Sequence, residues 1–139
     1  MSDHSMTLGG VESALKMEQV VFDQISFQRH GFSKQNSGDV EMKLGTRIEC
    51  DGSGFYRVIL RVIVEKIEEY SVEIQITGYC EIDEMNPHKD MLLEKNAVAI
   101  LFPYVRAELS LITAQPGMEP IVLPVVNIAA MVDQAKADK

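Results

Sequence analysis

Residues that could perform acid–base or metal chemistry occur in this chain, but they do not group into a site. The three histidines, His4, His30 and His88, are scattered, and none lies beside a carboxylate or cysteine pair with ligand spacing. A zinc site needs about four nitrogen or sulfur ligands in a compact arrangement. We therefore predict no metal site and no cofactor.

A serine between two glycines, Ser53, comes closest to a nucleophile motif. A nucleophile elbow lies between a strand and a helix, whereas apolar alternation continues on both sides of Ser53. The segment Asp51-Gly52-Ser53-Gly54 is better explained as a hairpin turn, where glycine permits positive φ. The carboxylates of Glu68-Glu69 and of residues 81–84 fall at turns and solvated strand edges. The sequence therefore predicts a protein that is not an enzyme.

Period-two alternation of apolar and polar residues predicts four strands. These are Met17 to Phe32, Val40 to about Cys50, Phe55 to Ile67 and Tyr70 to Ile82. The alternation slips near Asp23, which would fit a β-bulge. Joined by short reversals, the four strands predict an antiparallel meander.

Helices follow the strands. Asn86-Pro87 is a good start, with Asn at the cap and Pro at the first helical position. The helix is expected to continue to Ala114, with a kink or restart at Pro103 because proline donates no backbone hydrogen bond. A short second helix is predicted at about residues 126–135. The expected fold is α+β: a four-stranded antiparallel sheet with one long kinked helix and one short C-terminal helix packed on one face.

Composition limits the possible partners and compartment. The 139 residues are expected to form a single domain at residues 17–135, between a flexible leader (1–16) and a polar tail (136–139). A net charge of −8 argues against nucleic acid. The uncharged run from Pro120 to Val132 is shorter than the roughly 18 residues of a membrane span. Without a signal peptide the expected location is the cytoplasm. The two cysteines, Cys50 and Cys80, lie on inward strand faces and are expected to be buried.

The chain has more apolar surface than one small domain obviously needs. Between Asn96 and Val132 only three residues are charged, in a chain with 24% charged residues. The predicted long helix has one buried stripe, formed by Val98, Leu101, Val105, Leu109 and Ile112. Four further apolar residues fall outside it and are expected to face another subunit: Ile100, Phe102, Tyr104 and Leu111. Oligomerisation could use all of this surface, or part of it could form a groove for unfolded polypeptide, to which thioethers such as Met42, Met118 and Met131 would adapt.

Four segments resemble the SecB family of export chaperones. Ile100–Arg106 (ILFPYVR) resembles that family's ILFPYAR helix signature, and Leu123–Val132 (LPVVNIAAMV) is similar to its LAPVNFDALF. Ile25–Phe27 resembles its ISF strand, and Val58–Val64 (VILRVIV) its VVLRVTV strand. The resemblance covers residues 17–132 in the same order. It implies the fold described above and a homotetramer, a dimer of dimers packed through the long helix.

The resemblance also implies a function, that of an ATP-independent holdase for unfolded or nascent polypeptides. Family members bind clients in hydrophobic grooves along strand two, the connection between the helices and the second helix. The matching positions are Val40, Met42, Leu44, Met118, Ile121, Leu123, Ile128, Met131 and Val132. An alternative is that these side chains fill the core, which applies most to the inward-facing Val40 and Leu44.

Two departures concern delivery of cargo to the SecA motor. Where motor-delivering relatives have acidic residues around ISF, this chain has Gln24 and Gln28. Their basic, glycine-containing C-terminal tail has no counterpart after Ala135. We therefore expect weakened hand-off to the motor, although Glu73, Glu81 and Asp83 could offer an acidic sheet face to a basic partner. The alternatives are a dedicated chaperone of one client, such as an antitoxin, and a non-chaperone oligomeric scaffold.

Overall fold

A computed structural model of the chain describes residues 14–33 and 38–123. Its elements are β1 (Lys16–Arg29), β2 (Val40–Gly52), β3 (Phe55–Lys66), β4 (Tyr70–Glu81), α1 (Lys89–Met91), a π-helical turn (Leu92–Asn96) and α2 (Ala97–Thr113). The predicted second helix lies outside the described residues, as do Ile128, Met131 and Val132.

The four strands form one antiparallel sheet in the order β1-β4-β3-β2. The predicted antiparallel sheet is confirmed, and β2, β3 and β4 follow one another as a meander. β1 pairs with β4 rather than with β2, which gives a Greek-key order. The chain after β1 is held to the β3–β4 turn, because the His30 and Gly31 N–H groups both donate to the Glu69 carbonyl, at 2.7 and 3.1 Å. β1 and β2 are therefore the two edges of the sheet.

One bulge of the sheet and the turn between β2 and β3 occur where the sequence predicts them, whereas the register shifts between Met17 and Gln19 and between Cys50 and Gly52 are not predicted. The register of β1 against β4 shifts between Phe22 and Gln24, so a bulge lies at Asp23. The β2–β3 turn needs its glycine at position 54, where φ is +86° and a Cβ would lie 2.7 Å from the Ile82 carbonyl oxygen. The Ile82 N–H donates to the Gly54 carbonyl at 2.9 Å, which closes that end of the sheet.

The core lies between α2 and the inner faces of β3 and β4. Its largest fully buried side chains are Leu60, Ile74, Ile76, Leu101, Leu109, Val58, Val62, Val64, Val72, Val98 and Val105. The predicted helix stripe is therefore confirmed, with Ile112 half-buried at its end.

Two predictions about burial are wrong. Phe102, expected at a subunit interface, is buried within the chain at 3% exposure. It lies four residues after Val98 and three before Val105, so it belongs to the same helix face. Cys80 is buried as expected, but Cys50 is exposed. Alternation correctly assigns the side of β2 that carries Cys50, but this edge strand ends beyond the cover of α2, which packs over β4 and β3.

The long helical segment begins later than predicted and continues through its proline. The Asn86 side chain accepts the His88 N–H at 2.8 Å, which forms a turn ahead of α1. Pro103 lies inside α2 and does not restart it. After Thr113 the chain turns at Gln115–Met118, where the Met118 N–H donates to the Gln115 carbonyl at 3.2 Å. Gly117 has a φ of +81° and follows a proline, as in a type II turn.

Candidate peptide-binding groove

The strand side of the predicted groove is β2. Met42 and Leu44 are half-buried and pack against the margin of the core, whereas Val40 is 46% exposed at the start of the strand. Their cross-strand partners on β3 are all buried: Lys66 for Val40, Val64 for Met42 and Val62 for Leu44. β2 therefore has an apolar inner face of which Met42 and Leu44 remain half-buried and Val40 exposed in the part of the chain that the structure describes.

The second side is the segment that follows α2, residues 114–123, which we call the crossover. Met118, Ile121 and Leu123 are half-buried and pack against the same core as Met42 and Leu44. Val122, between two of them, is 72% exposed. Five of the nine predicted groove residues are thus half-buried and pack against the core, Val40 is not among the residues packed against it, and the structure does not describe the other three.

The crossover is tied to α2 by three side chains. Arg106 Nε donates to the Leu123 carbonyl at 2.9 Å, and Ser110 Oγ donates to the Ile121 carbonyl at 2.8 Å. Thr113 Oγ1 accepts the Ile121 N–H at 2.8 Å. Sequence reasoning missed these residues, because a side chain that bonds to the backbone of an irregular segment leaves no periodic signal.

The outward face of α2 carries exposed apolar side chains. Ile100, Tyr104 and Leu111 are 40%, 48% and 69% exposed. Their spacing of four and seven residues places them on one side of the helix. Together they form an apolar strip on the side of α2 that faces away from the sheet.

A search against family models identifies the family. Residues 11–139 match the model described as preprotein translocase subunit SecB. The chain belongs to the SecB family. This family consists of chaperones rather than enzymes, so the match supports a chaperone role for the chain.

A curated SecB protein and an uncharacterized archaeal protein are among the relatives of this chain. The protein-export protein SecB of Dechloromonas aromatica is 35% identical over 105 residues, which cover 72% of this chain and 69% of that protein. Uncharacterized protein MJ0357 of Methanocaldococcus jannaschii is 43% identical over 61 residues, but these span only 43% of this chain and 39% of the archaeal protein.

A solved structure shares the fold. The Mycobacterium tuberculosis SecB-like chaperone Rv1957, in complex with a ChAD peptide from the Rv1956 HigA1 antitoxin, superposes with a TM-score of 0.70. The superposition covers 84% of this chain and 93% of that chain, at 8% sequence identity. At this identity the likeness establishes the SecB-like fold alone.

The outer face of the sheet carries paired charges. Both Arg61 Nε and Nη2 contact Glu73 Oε2, at 2.6 and 2.5 Å. Arg47 and Arg57 both contact Glu49, each at 2.9 Å. Glu73, one of the acidic residues expected to attract a basic partner, is therefore paired with Arg61 within the sheet.

The Gln24 side chain lies on the same face. Its Nε2 donates to Ser26 Oγ at 3.3 Å, and Ser26 Oγ donates to the Glu73 backbone carbonyl at 3.4 Å. Two further carboxylates lie near Gln24 on this face: Asp23, which accepts a hydrogen bond from Thr77 Oγ1, and Glu65, which lines the same surface depression as Gln24 and Glu73.

A smaller polar cluster lies at the end of the sheet beside α1. The Tyr56 hydroxyl donates to the Glu84 carboxylate, and Lys89 Nζ lies 5.6 Å from the centre of the Tyr56 ring. The hydrogen bond to Glu84, followed by burial, raises the pKa of Tyr56. These contacts hold the start of the helical segment to β3.

Neither a metal site nor a membrane span is found among the residues that the structure describes. Within 14–33 and 38–123, no three His, Cys, Asp or Glu side chains are placed to hold a metal ion. In the same ranges, no helix combines the length and the apolar character needed to cross a bilayer.

Proposed function

We propose that this SecB-family protein is an ATP-independent holdase that binds unfolded or nascent polypeptides along β2 and the crossover. The observation that carries the proposal is the set of half-buried apolar side chains of β2 and the crossover that pack against the core: Met42, Leu44, Met118, Ile121 and Leu123. An unfolded client presents mixed apolar side chains, and a long apolar groove binds them with little sequence selectivity because hydrophobic burial is non-directional. We place Val40, Ile128, Met131 and Val132 in the same groove by position in the family.

The assembly that we propose is a homotetramer, formed as a dimer of dimers. Its packing surface would be the apolar strip of α2, formed by Ile100, Tyr104 and Leu111. Phe102 is not part of this surface, because it is buried within the chain. Apolar side chains with this exposure on one helix face are typical of a subunit contact.

Hand-off to the SecA motor is proposed to be weak. Gln24 and Gln28 carry no charge, and the carboxylate of Glu73 is held by Arg61 at 2.5 Å. The outer sheet face would therefore attract a basic partner less strongly than a face with acidic residues at positions 24 and 28 would. Binding of purified SecA comparable to that of motor-delivering relatives would contradict this proposal.

A dedicated chaperone of one client is the second candidate. Its support is the Rv1957 structure, in which a protein of the same fold holds a peptide from an antitoxin. The two candidates differ in breadth: a general holdase binds many unfolded proteins with similar affinity, whereas a dedicated chaperone binds one. Affinities for a panel of unrelated unfolded proteins separate them.

The decisive test of the holdase is suppression of aggregation. Denatured citrate synthase is diluted with and without stoichiometric amounts of this protein, in the absence of nucleotide, and light scattering is recorded. We expect suppression by the wild type and at least about a tenfold loss of client affinity in Met42→Asp, because a carboxylate is costly to bury in an apolar site. The absence of any suppression would favour the scaffold.

Gln75→Asp is a matched control for Met42→Asp. It introduces the same charge change at a half-exposed position of the sheet, but on the outer face. We expect client affinity to be unchanged in this variant. Light scattering of both variants without client reports the mass of the assembly. If Met42→Asp dissociates the assembly, Met42 belongs to a subunit interface instead.

A further inference from the structure

Both backbone groups of Ile121 are bound by side chains of α2. Its carbonyl accepts from Ser110 Oγ at 2.8 Å, and its N–H donates to Thr113 Oγ1 at 2.8 Å. Two residues later, the Leu123 carbonyl accepts from Arg106 Nε at 2.9 Å. Arg106, Ser110 and Thr113 are spaced by four and three residues and therefore share one face of the helix.

The Thr113 side chain is held in this contact by burial and by a second hydrogen bond. Its side chain is fully buried, and its hydroxyl donates to the Leu109 carbonyl at 2.7 Å. The one hydroxyl proton is thereby used inside the helix, so the oxygen is left to accept the Ile121 N–H. Loss of the oxygen would leave a half-buried N–H without its acceptor, which costs more than an ordinary hydrogen bond gains.

These bonds also decide which side chains of the crossover face the core. In an extended segment, successive side chains point to opposite sides. Ile121 packs against the core, whereas Val122 is 72% exposed. A slip of one residue would exchange the two sides, as it does for a strand. The backbone contacts of Ile121 and Leu123 oppose that slip.

We infer that Arg106, Ser110 and Thr113 are positioning residues of the peptide-binding groove. They fix the register of the crossover on α2, so that Met118, Ile121 and Leu123 stay half-buried against the core with only their uncovered parts open to the client. This inference rests on the proposed holdase function. Its structural part, the restraint on Ile121, can be measured without any client.

The test uses the full chain with three variants, Thr113→Val, Thr113→Ser and Ser110→Ala. Valine keeps the shape of threonine and removes the acceptor, whereas serine keeps the acceptor and removes a methyl group. Hydrogen exchange of the Ile121 amide is followed by NMR. Affinity is measured by fluorescence anisotropy with reduced, carboxymethylated α-lactalbumin, which stays unfolded. Chemical unfolding reports the stability of each variant.

In Thr113→Val we expect Ile121 exchange to become at least about tenfold faster and client affinity to fall by about three- to tenfold, as the loss of one hydrogen bond allows. Thr113→Ser should retain the wild-type exchange and affinity even where its stability is lower. That rescue separates positioning from a general loss of packing. Ser110→Ala, at a half-exposed position, should show the same effect more weakly. It provides the test if Thr113→Val does not fold.

Three results would overturn the inference. Unchanged exchange at Ile121 in both Thr113→Val and Ser110→Ala would mean that these bonds do not restrain the crossover. Faster exchange with unchanged client affinity, in a protein whose Met42→Asp variant loses affinity, would refute positioning and leave the holdase standing. If the wild type itself binds no unfolded α-lactalbumin, the proposed function fails and this inference fails with it, whatever the exchange data give.

Discussion

The inner face of the sheet is buried to different extents on its central strands and on its edge strand β2. On β3 and β4 the inner residues are fully buried beneath α2, as Leu60 and Ile74 show. On β2 the inner residues Met42 and Leu44 are only half-buried, and Val40 is largely exposed. All three strands carry mainly apolar residues on this inner face. The position of the helix, rather than the strand sequence, therefore decides which apolar side chains form core and which remain available to a partner.

Truncation of one leucine from each part tests this contrast most strongly. Leu60→Ala removes a fully buried side chain and should lower the free energy of unfolding by about 2–5 kcal/mol. Leu44→Ala, at a half-buried position of β2, should lower the free energy of unfolding by about 1 kcal/mol, because folding removes less apolar surface from water at this position. Urea unfolding at one fixed protein concentration measures both. Equal losses would show that β2 is covered as completely as β3, which would remove the open groove.

The two cysteines provide a second comparison, with a smaller expected effect. Cys50 on β2 is exposed, whereas Cys80 on β4 is buried, and burial raises the pKa of its thiol from 9.0 to about 11. At pH 8, Cys80 should carry roughly a hundredfold less thiolate than an unperturbed thiol, since each unit of pKa is a factor of ten. Ellman's reagent should therefore detect one fast thiol per native chain. Cys50→Ser should abolish that phase, and a fast phase that persists would contradict the burial of Cys80.

The same pKa predicts a direction for stability at alkaline pH. Below pH 9 the Cys80 thiol is protonated in both the folded and the unfolded chain, so it makes no pH-dependent contribution. Between pH 9 and about 11 the unfolded chain releases this proton while the folded chain keeps it, so stability falls as pH rises. Unfolding curves of the wild type and Cys80→Ala over this range should differ in slope, with the wild type steeper.

The sequence predicts most of the fold, and its errors have identifiable causes. The buried faces of β3 and β4 follow from alternation alone, because both strands lie in the centre of the sheet. Cys50 was assigned to the core wrongly, since alternation gives the side of a strand but not what covers it. The pairing of β1 with β4 depends on contacts between distant residues, which no local pattern encodes.

The candidate site is less accessible to sequence reasoning than the fold. Positions such as Met42 and Met118 came from the family resemblance, and composition alone would also have allowed them to be core. The contacts of Arg106, Ser110 and Thr113 with the crossover were missed because the crossover has no periodicity against which to align a partner. The burial of each side chain in the structure distinguishes candidate groove residues from core residues, since the candidates are half-buried and the core residues are fully buried.

The apolar strip of α2 gives the last comparison, between two equally exposed side chains. Leu111 on α2 and Ile67 on the β3–β4 turn are both 69% exposed. Leu111→Asp should weaken subunit association by about tenfold or more, because a carboxylate without a partner is costly to bury in an apolar contact. Ile67→Asp makes the same charge change outside the proposed contact and should leave the mass of the assembly unchanged. Light scattering over a dilution series measures both variants. If Ile67→Asp dissociates the assembly and Leu111→Asp does not, the subunits meet at the end of the sheet, and the exposed face of α2 would then be a second surface open to clients.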